Sequence, residues 1–142
     1  MGTNQPWGNA MSNSNASALP QPYPATSAIM VLLTLTGVML LALFSRTMPH
    51  PPLEVPPFAI APFLGASLAI GVAALHLVSR GARFGTGLAV LFALTALVSF
   101  GPQKYFDPSF SRIWPAVITG QVAAVVIFIW SVAVVRNKRT NS

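Results

Sequence analysis

The sequence contains no cysteine and only two acidic residues, Glu54 and Asp107, among 142 residues. Without cysteine the chain cannot form disulfides, thiolate metal sites or iron–sulfur clusters, and it has no thiol redox chemistry. No second carboxylate lies near Asp107 in the sequence to share acid–base work with it. There is also no glycine-rich nucleotide loop, no metal-ligand spacing and no nucleophile beside a base. We therefore predict that the protein is not a self-contained enzyme, and we predict no metal and no cofactor.

Charged residues of either sign are scarce as well. They make up 7% of the chain, against 54% hydrophobic residues and a mean hydropathy of +0.65, whereas soluble domains carry about 25% charged residues. This composition indicates an integral membrane protein surrounded by the lipid bilayer. The net charge of +6 would fit a nucleic-acid partner if the basic residues formed a soluble patch. Because the Lys and Arg residues instead flank apolar runs, we predict no nucleic-acid partner.

Four apolar runs without Lys, Arg, Asp or Glu follow an uncharged N-terminal segment. Their approximate limits are 28–44, 58–78, 85–100 and 114–135. Each is close to the roughly 20 residues that cross a hydrocarbon core of about 30 Å. We predict an all-α integral membrane protein whose residues 27–136 form an antiparallel bundle of four transmembrane helices. Residues 1–26, rich in Asn, Ser, Pro and Ala, are predicted to be disordered, and residues 137–142 to form a basic tail.

The basic residues predict how the chain is threaded. A cytoplasmic N-terminus would place Arg80, Arg83, Arg136, Lys138 and Arg139 inside, and Arg46, Lys104 and Arg112 outside. Cytoplasmic segments of membrane proteins are enriched in Lys and Arg, so we predict that both termini are cytoplasmic and that the protein lies in a bacterial inner membrane. The first basic residue follows the first apolar run instead of preceding it. We therefore expect that run to be a membrane anchor and not a cleaved signal.

Small residues recur at four-residue spacing in three of the predicted spans. They are Gly65, Ala69 and Ala73, then Ala89 and Ala93, then Ala116, Gly120 and Ala124. Small residues at this spacing let the backbones of neighbouring helices approach closely. We predict that all three sets face other helices of the bundle. The first span has bulkier faces and only Gly37 as a small contact point, so we expect it to face lipid or a partner.

His76 is the only ionisable residue within a predicted span. It follows Ala73 by about one turn, and we predict that it points into the bundle, where a histidine can bind haem or relay a proton. The other histidine, His50, falls in the opposite loop, so a haem site would need a ligand from a partner. A hydrogen bond between helices is the simpler role for His76.

Gln121 is the most polar side chain deep within a predicted span. An amide in lipid must find hydrogen-bond partners. The candidates on the spans are Thr119, Thr95, Thr34 and Thr36. In that role Gln121 holds helices together. The alternative role is a polar path for a solute, lined by Gln121, Thr34, Thr95, Thr119 and His76.

The outer loop 47–57 is rich in proline. Dense proline stiffens a chain into an extended path without internal hydrogen bonds, which suits a surface for a partner subunit. The predicted contact residues are His50, Pro51, Pro52, Glu54, Pro56 and Pro57. Because an extended chain holds His50 and Glu54 in no fixed relation, we predict no metal site there.

Asp107 lies among aromatic residues in the stretch QKYFDPSFSRIWP and directly precedes Pro108. Aspartate at an N-cap followed by proline favours a helix start, because the carboxylate accepts from free backbone donors and the ring presets φ. We predict a short interfacial helix over 108–114, before Pro115 begins the fourth span. The residues predicted to lie at headgroup depth are Lys104, Tyr105, Phe106, Phe110, Arg112 and Trp114.

The missing chemistry leaves three functional classes. We predict first a small membrane protein that acts by contact, as an accessory, assembly or stabilising subunit bound to a larger membrane-protein partner. The second class is a small oligomeric transporter or channel, and a homo-oligomer is compatible with both. A weaker third class is a quinone- or haem-associated subunit completed by a partner. Ion-coupled transport normally uses an ionisable residue within a span, and His76 alone qualifies, which favours the first class.

Overall fold

The computed structural model describes residues 21–46, 57–106, 108 and 110–140, with only the backbone of residues 57–59. Every regular element among the described residues is a helix, and none is a strand. The helices are α1 (Tyr23–Ser45), α2 (Pro57–Ser79), α3 (Gly85–Phe100) and α4 (Phe110–Thr140), with a short 3₁₀ helix (Pro102–Phe106) before α4. Four of the described helical segments are long and apolar enough to cross a membrane. This confirms the predicted all-α class and the four apolar helices.

Helices α1 and α4 extend well beyond their predicted limits. α3 has the predicted bounds, but α1 begins at Tyr23 and so includes part of the segment predicted to be disordered. α4 runs without a break from Phe110 to Thr140, with Pro115 inside it. The short helix predicted over 108–114 is therefore not separate from the fourth span, because residues 110–114 are the start of α4. The predicted basic tail also belongs largely to this helix, because α4 extends through Lys138 and Arg139.

The four helices surround one apolar core. Each of α1, α2, α3 and α4 packs against two neighbours in cyclic order, and α1 also contacts α3 across the core. The largest completely buried side chains are Phe92, Ile29, Leu32, Leu64, Ile127 and Val117. Gly71 of α2 lies where three helices meet, since a Cβ atom there would be 2.7 Å from both Leu33 and Phe92.

The prediction that all small-residue sets face the bundle is right for α3 and α4 and wrong for α2. Ala89, Ala93, Gly120 and Ala124 are buried. On α2, however, Gly65, Ala69 and Ala73 are exposed, and a different set faces the core. This buried set is Leu64, Ser67, Gly71, Ala74 and Val78. Because α2 carries small residues on both faces, the spacing alone could not indicate which face turns inward.

A tight turn joins α2 to α3. The backbone N–H of Gly81 donates to the carbonyl of Val78 (3.0 Å), and that of Ala82 donates to the carbonyl of Leu77 (2.9 Å). These two bonds form a Schellman motif, which needs a left-handed residue at its corner, and Gly81 has φ of 64°. A Cβ atom added to Gly85 would be 2.9 Å from the backbone of Leu77. The glycines therefore let α3 begin directly against the end of α2.

Candidate functional site

The side chain of Gln121 joins α4 to the end of α3. Its Nε2 donates to the carbonyl oxygen of Phe100 at 3.1 Å, and its Oε1 accepts from the hydroxyl of Tyr105 at 2.7 Å. Tyr105 belongs to the 3₁₀ helix, and its ring also makes an edge-on contact with Phe110 at 5.2 Å between centroids. Gln121 therefore holds three segments of the chain together through one amide.

A second glutamine, Gln103, bonds to carbonyl groups of α3 that lie within one turn before Phe100. Gln103 Nε2 donates to the carbonyl oxygens of Leu97 (3.2 Å) and Val98 (2.6 Å). The side chain fits there because residue 101 is glycine, and a Cβ atom at Gly101 would collide with the Leu97 carbonyl and with Gln103 itself. The chain thus turns back sharply enough for a residue beyond α3 to cap the helix.

We call Gln103, Tyr105 and Gln121 the α3 cap. The last carbonyls of a helix have no partner within the helix, and unpaired backbone groups are costly in lipid. α3 has 16 residues, which corresponds to about 24 Å at 1.5 Å per residue, against a hydrocarbon core of about 30 Å. Because α3 is shorter than the hydrocarbon core, side-chain partners for its last carbonyls lower the cost of placing that end in lipid.

The hydrogen bonds of Gln121 agree with a role in holding helices together, but the expected threonine partners are wrong. Thr34 donates to the carbonyl of Met30 in its own helix, and Thr95 donates to that of Phe92 in the same way. Tyr105 and the carbonyl of Phe100 take their place. One feature of the sequence indicated that polar groups would meet at the end of α3. Gly101 and Pro102 end that helix, so its last carbonyls need polar partners from elsewhere in the chain.

The polar side chains proposed to line a solute path do not meet inside this chain. Thr34, Thr119 and His76 are exposed, each on a different helix. The prediction that His76 points into the bundle is wrong, because Ala73 and His76 lie together on the outer face of α2. The face of α2 that contains Ala73 and His76 is not the face that packs against the other helices.

Several predicted residues lie outside the described part of the chain. Asp107 is one of them, so its role as an N-cap stays a prediction, while α4 begins at Phe110, two residues after Pro108. The proline-rich loop is another, with His50, Pro51, Pro52, Glu54 and Pro56 in residues 47–56. Pro57 is the first residue of α2.

The two ends of the bundle differ in charge. One end brings together the start of α1, the α2–α3 turn and the end of α4, around a cavity of about 370 Å³ that Pro22, Gly81 and Lys138 help to line. The basic residues in these segments are Arg80, Arg83, Arg136, Lys138 and Arg139. We call this the basic end. Arg46, Lys104 and Arg112 lie in the segments at the opposite end, where Lys104 approaches Met39 and Ile113 around a small cavity.

The four apolar helices and their apolar core define the class as a small multi-pass membrane protein. No protein-family model, no curated protein and no solved structure matches this chain.

Proposed function

We propose that the protein acts by contact, as an accessory or stabilising subunit of a larger membrane complex. The observation that supports this best is the second small-residue face of α2. Gly65, Ala69 and Ala73 point away from the chain's own bundle, and no atom lies within 4 Å of a Cβ atom built on Gly65. Small residues at this spacing let a further transmembrane helix approach closely. The occupant we propose is a helix of the larger partner.

The outer face of α4 offers a comparison within the same chain. Val122, Val125 and Ile129 are each more than half exposed there, as expected for a face that contacts only lipid. Lipid tails give no advantage to small residues, whereas helix packing does. The different composition of the two outer faces supports different surroundings for α2 and α4.

The residues inside the bundle favour a role by contact with a partner over ion-coupled transport. The buried polar residues in the described part of the chain are Thr36, Ser67, Ser99 and Ser131, and none of the buried residues there is ionisable. Ion-coupled transporters normally carry an ionisable group within a span. This difference favours a structural partner over a pump or exchanger.

The proposal includes an antiparallel bundle with both termini on the cytoplasmic side of a bacterial inner membrane. Gly71 approaches Phe92 while Gly85 approaches Leu77, which supports opposite directions for α2 and α3. The larger number of basic residues at the basic end supports a cytoplasmic location for that end.

The test is cross-linking and native mass spectrometry of membranes extracted in a mild detergent. We expect the chain to be recovered with a larger membrane protein, and Ala69→Leu to reduce this recovery at least several-fold because leucine fills the space for a close helix. Val125→Leu on the outer face of α4 is the matched control and should leave the recovery unchanged. Both variants should keep their helical circular dichroism spectrum.

Two results would contradict the proposal. One is recovery of the chain only as a monomer or a symmetric homo-oligomer, whatever residue occupies position 69. The other is passage of a solute through liposomes that contain the pure protein, if Gln121→Leu prevents that passage. The second result would favour the oligomeric transporter.

A further inference from the structure

A groove of about 630 Å³ lies between the first half of α3 and the last half of α4, at the basic end. Its cationic side chains are Arg83, Arg136, Lys138 and Arg139. Below them, Val90, Val132 and Val135 form an apolar wall. No Asp or Glu of the described chain lines this groove. The groove therefore offers positive charge at its rim and apolar surface along its length.

Ser131 is one of the residues that line the same groove, and its hydroxyl is buried without a partner in the described part of the chain. Its side chain is only 6% exposed, and its Oγ has no hydrogen-bond partner among the described residues. Several serine and threonine hydroxyls of this chain bond back to their own helix, as Ser67 does to the carbonyl of Phe63 at 2.8 Å, which is common for Ser and Thr in membrane helices. A buried polar atom without a partner is unfavourable. The hydroxyl of Ser131 is thus an unused hydrogen-bonding group beside the groove.

A second unpaired donor lies next to it in the sequence. The indole Nε1 of Trp130 is buried and has no partner in the described chain. Trp130 lines the cavity of about 370 Å³ at the basic end, and this cavity shares Thr86, Val134 and Lys138 with the groove. Two consecutive residues near the basic end therefore carry buried polar atoms without a partner in the described chain.

We propose that the groove binds the phosphate group of an anionic phospholipid. Guanidinium groups match phosphate oxygens through paired N–H donors, and the hydroxyl of Ser131 adds a donor from below. The valine wall contacts the acyl chains, which is why a phospholipid fits the groove better than a free phosphate ion. This site depends on membrane insertion but not on the accessory role proposed above.

The test uses the full chain in detergent with equal amounts of phosphatidylglycerol and phosphatidylcholine, and native mass spectrometry to count the lipids retained. We expect preferential retention of phosphatidylglycerol. The double variant Arg83→Gln and Arg136→Gln should lower that preference by about 25-fold, because each basic residue near a lipid surface contributes roughly fivefold in affinity. The matched control, Arg46→Gln with Arg112→Gln, removes the same charge from the opposite end and should keep the preference.

Ser131→Ala separates a binding role from a structural one. Because it removes a buried hydroxyl that has no protein partner, the thermal midpoint of the lipid-free protein should stay the same or rise. Retention of phosphatidylglycerol should fall. Ser67→Ala, whose hydroxyl is already bonded within α2, should leave retention unchanged.

Three outcomes would overturn the proposal. Equal loss of preference in the two double variants would mean that net charge alone attracts the lipid. Unchanged retention of phosphatidylglycerol in Ser131→Ala would show that the lipid does not bind in this groove. Stabilisation by millimolar inorganic phosphate, with no preference between the two lipids, would assign the groove to a free anion.

Discussion

At Gly71, side chains of two other helices come close to the backbone of α2. A Cβ atom there would lie 2.7 Å from Leu33 Cδ2 and 2.7 Å from Phe92 Cζ. Phe92 is completely buried, so its ring has little freedom to move aside. Gly65 in the same helix has open space around it. The two glycines therefore differ in packing while sharing a helix and a residue type.

We predict that Gly71→Ala lowers the free energy of unfolding by about 1–3 kcal/mol, the usual cost of overpacking a core. Gly65→Ala is the control and should be neutral or slightly stabilising, because alanine favours the helix more than glycine does. Denaturant titration in detergent, followed by circular dichroism, measures both. Equal destabilisation by the two substitutions would show that α2 does not pack through the face containing Gly71.

Among the helices, the α3 cap connects the end of α3 to the 3₁₀ helix and to α4. Gln121 bonds to both Tyr105 and the carbonyl of Phe100, and Gly120 lets the helices meet, since a Cβ atom there would lie 3.0 Å from Phe100. The hydrogen bonds and the close helix contact coincide at one level of the bundle. Removing the amide of Gln121 would therefore leave the carbonyl of Phe100, at the end of α3, without this partner.

We predict that Gln121→Leu destabilises the protein by about 1–2 kcal/mol and Tyr105→Phe by about 1 kcal/mol, because each leaves a polar group unpaired. In the double variant the effects should fall short of additivity by about 0.6 kcal/mol, the usual coupling between hydrogen-bonded membrane side chains. Thr34→Val is the control, since Thr34 bonds only within α1; it should change stability by less than about 0.5 kcal/mol. Strict additivity of the first two substitutions would mean that their side chains do not interact.

The two ends of the bundle differ in their basic residues, and each end carries an exposed phenylalanine. Phe106 is 91% exposed beside the α3 cap, and Phe84 is 80% exposed at the basic end. Because the natural sequence has no cysteine, a single introduced cysteine reports its position without background.

We predict that Phe106→Cys reacts with a membrane-impermeant maleimide in intact cells. Phe84→Cys and Thr140→Cys should react only after the membrane is opened, because the basic end is expected in the cytoplasm. The unmodified chain is the control and should not be labelled. Labelling of Phe84→Cys in intact cells, with Phe106→Cys protected, would reverse the proposed orientation.

The residue pattern alone was enough to predict the class and the number of long apolar helices. Long runs without charge must satisfy their backbone groups internally in lipid, which requires helices, and the charges mark where the runs end. For α3 this was sufficient to predict both limits, Gly85 and Phe100. For α4 it was not, because Pro115 near the start of the helix was taken as a boundary although the helix continues through it.

The rotation of each helix and the pairing of the polar groups depend on how the four helices pack together. A membrane helix is apolar on its lipid face as well as its core face, so the pattern of apolar residues does not point inward as it does in a soluble bundle. For that reason the sequence did not separate Gly65 from Gly71, or place His76 on the outside. The partners of Gln121 likewise depend on how the chain turns back after Gly101, a contact between distant segments that no local spacing encodes.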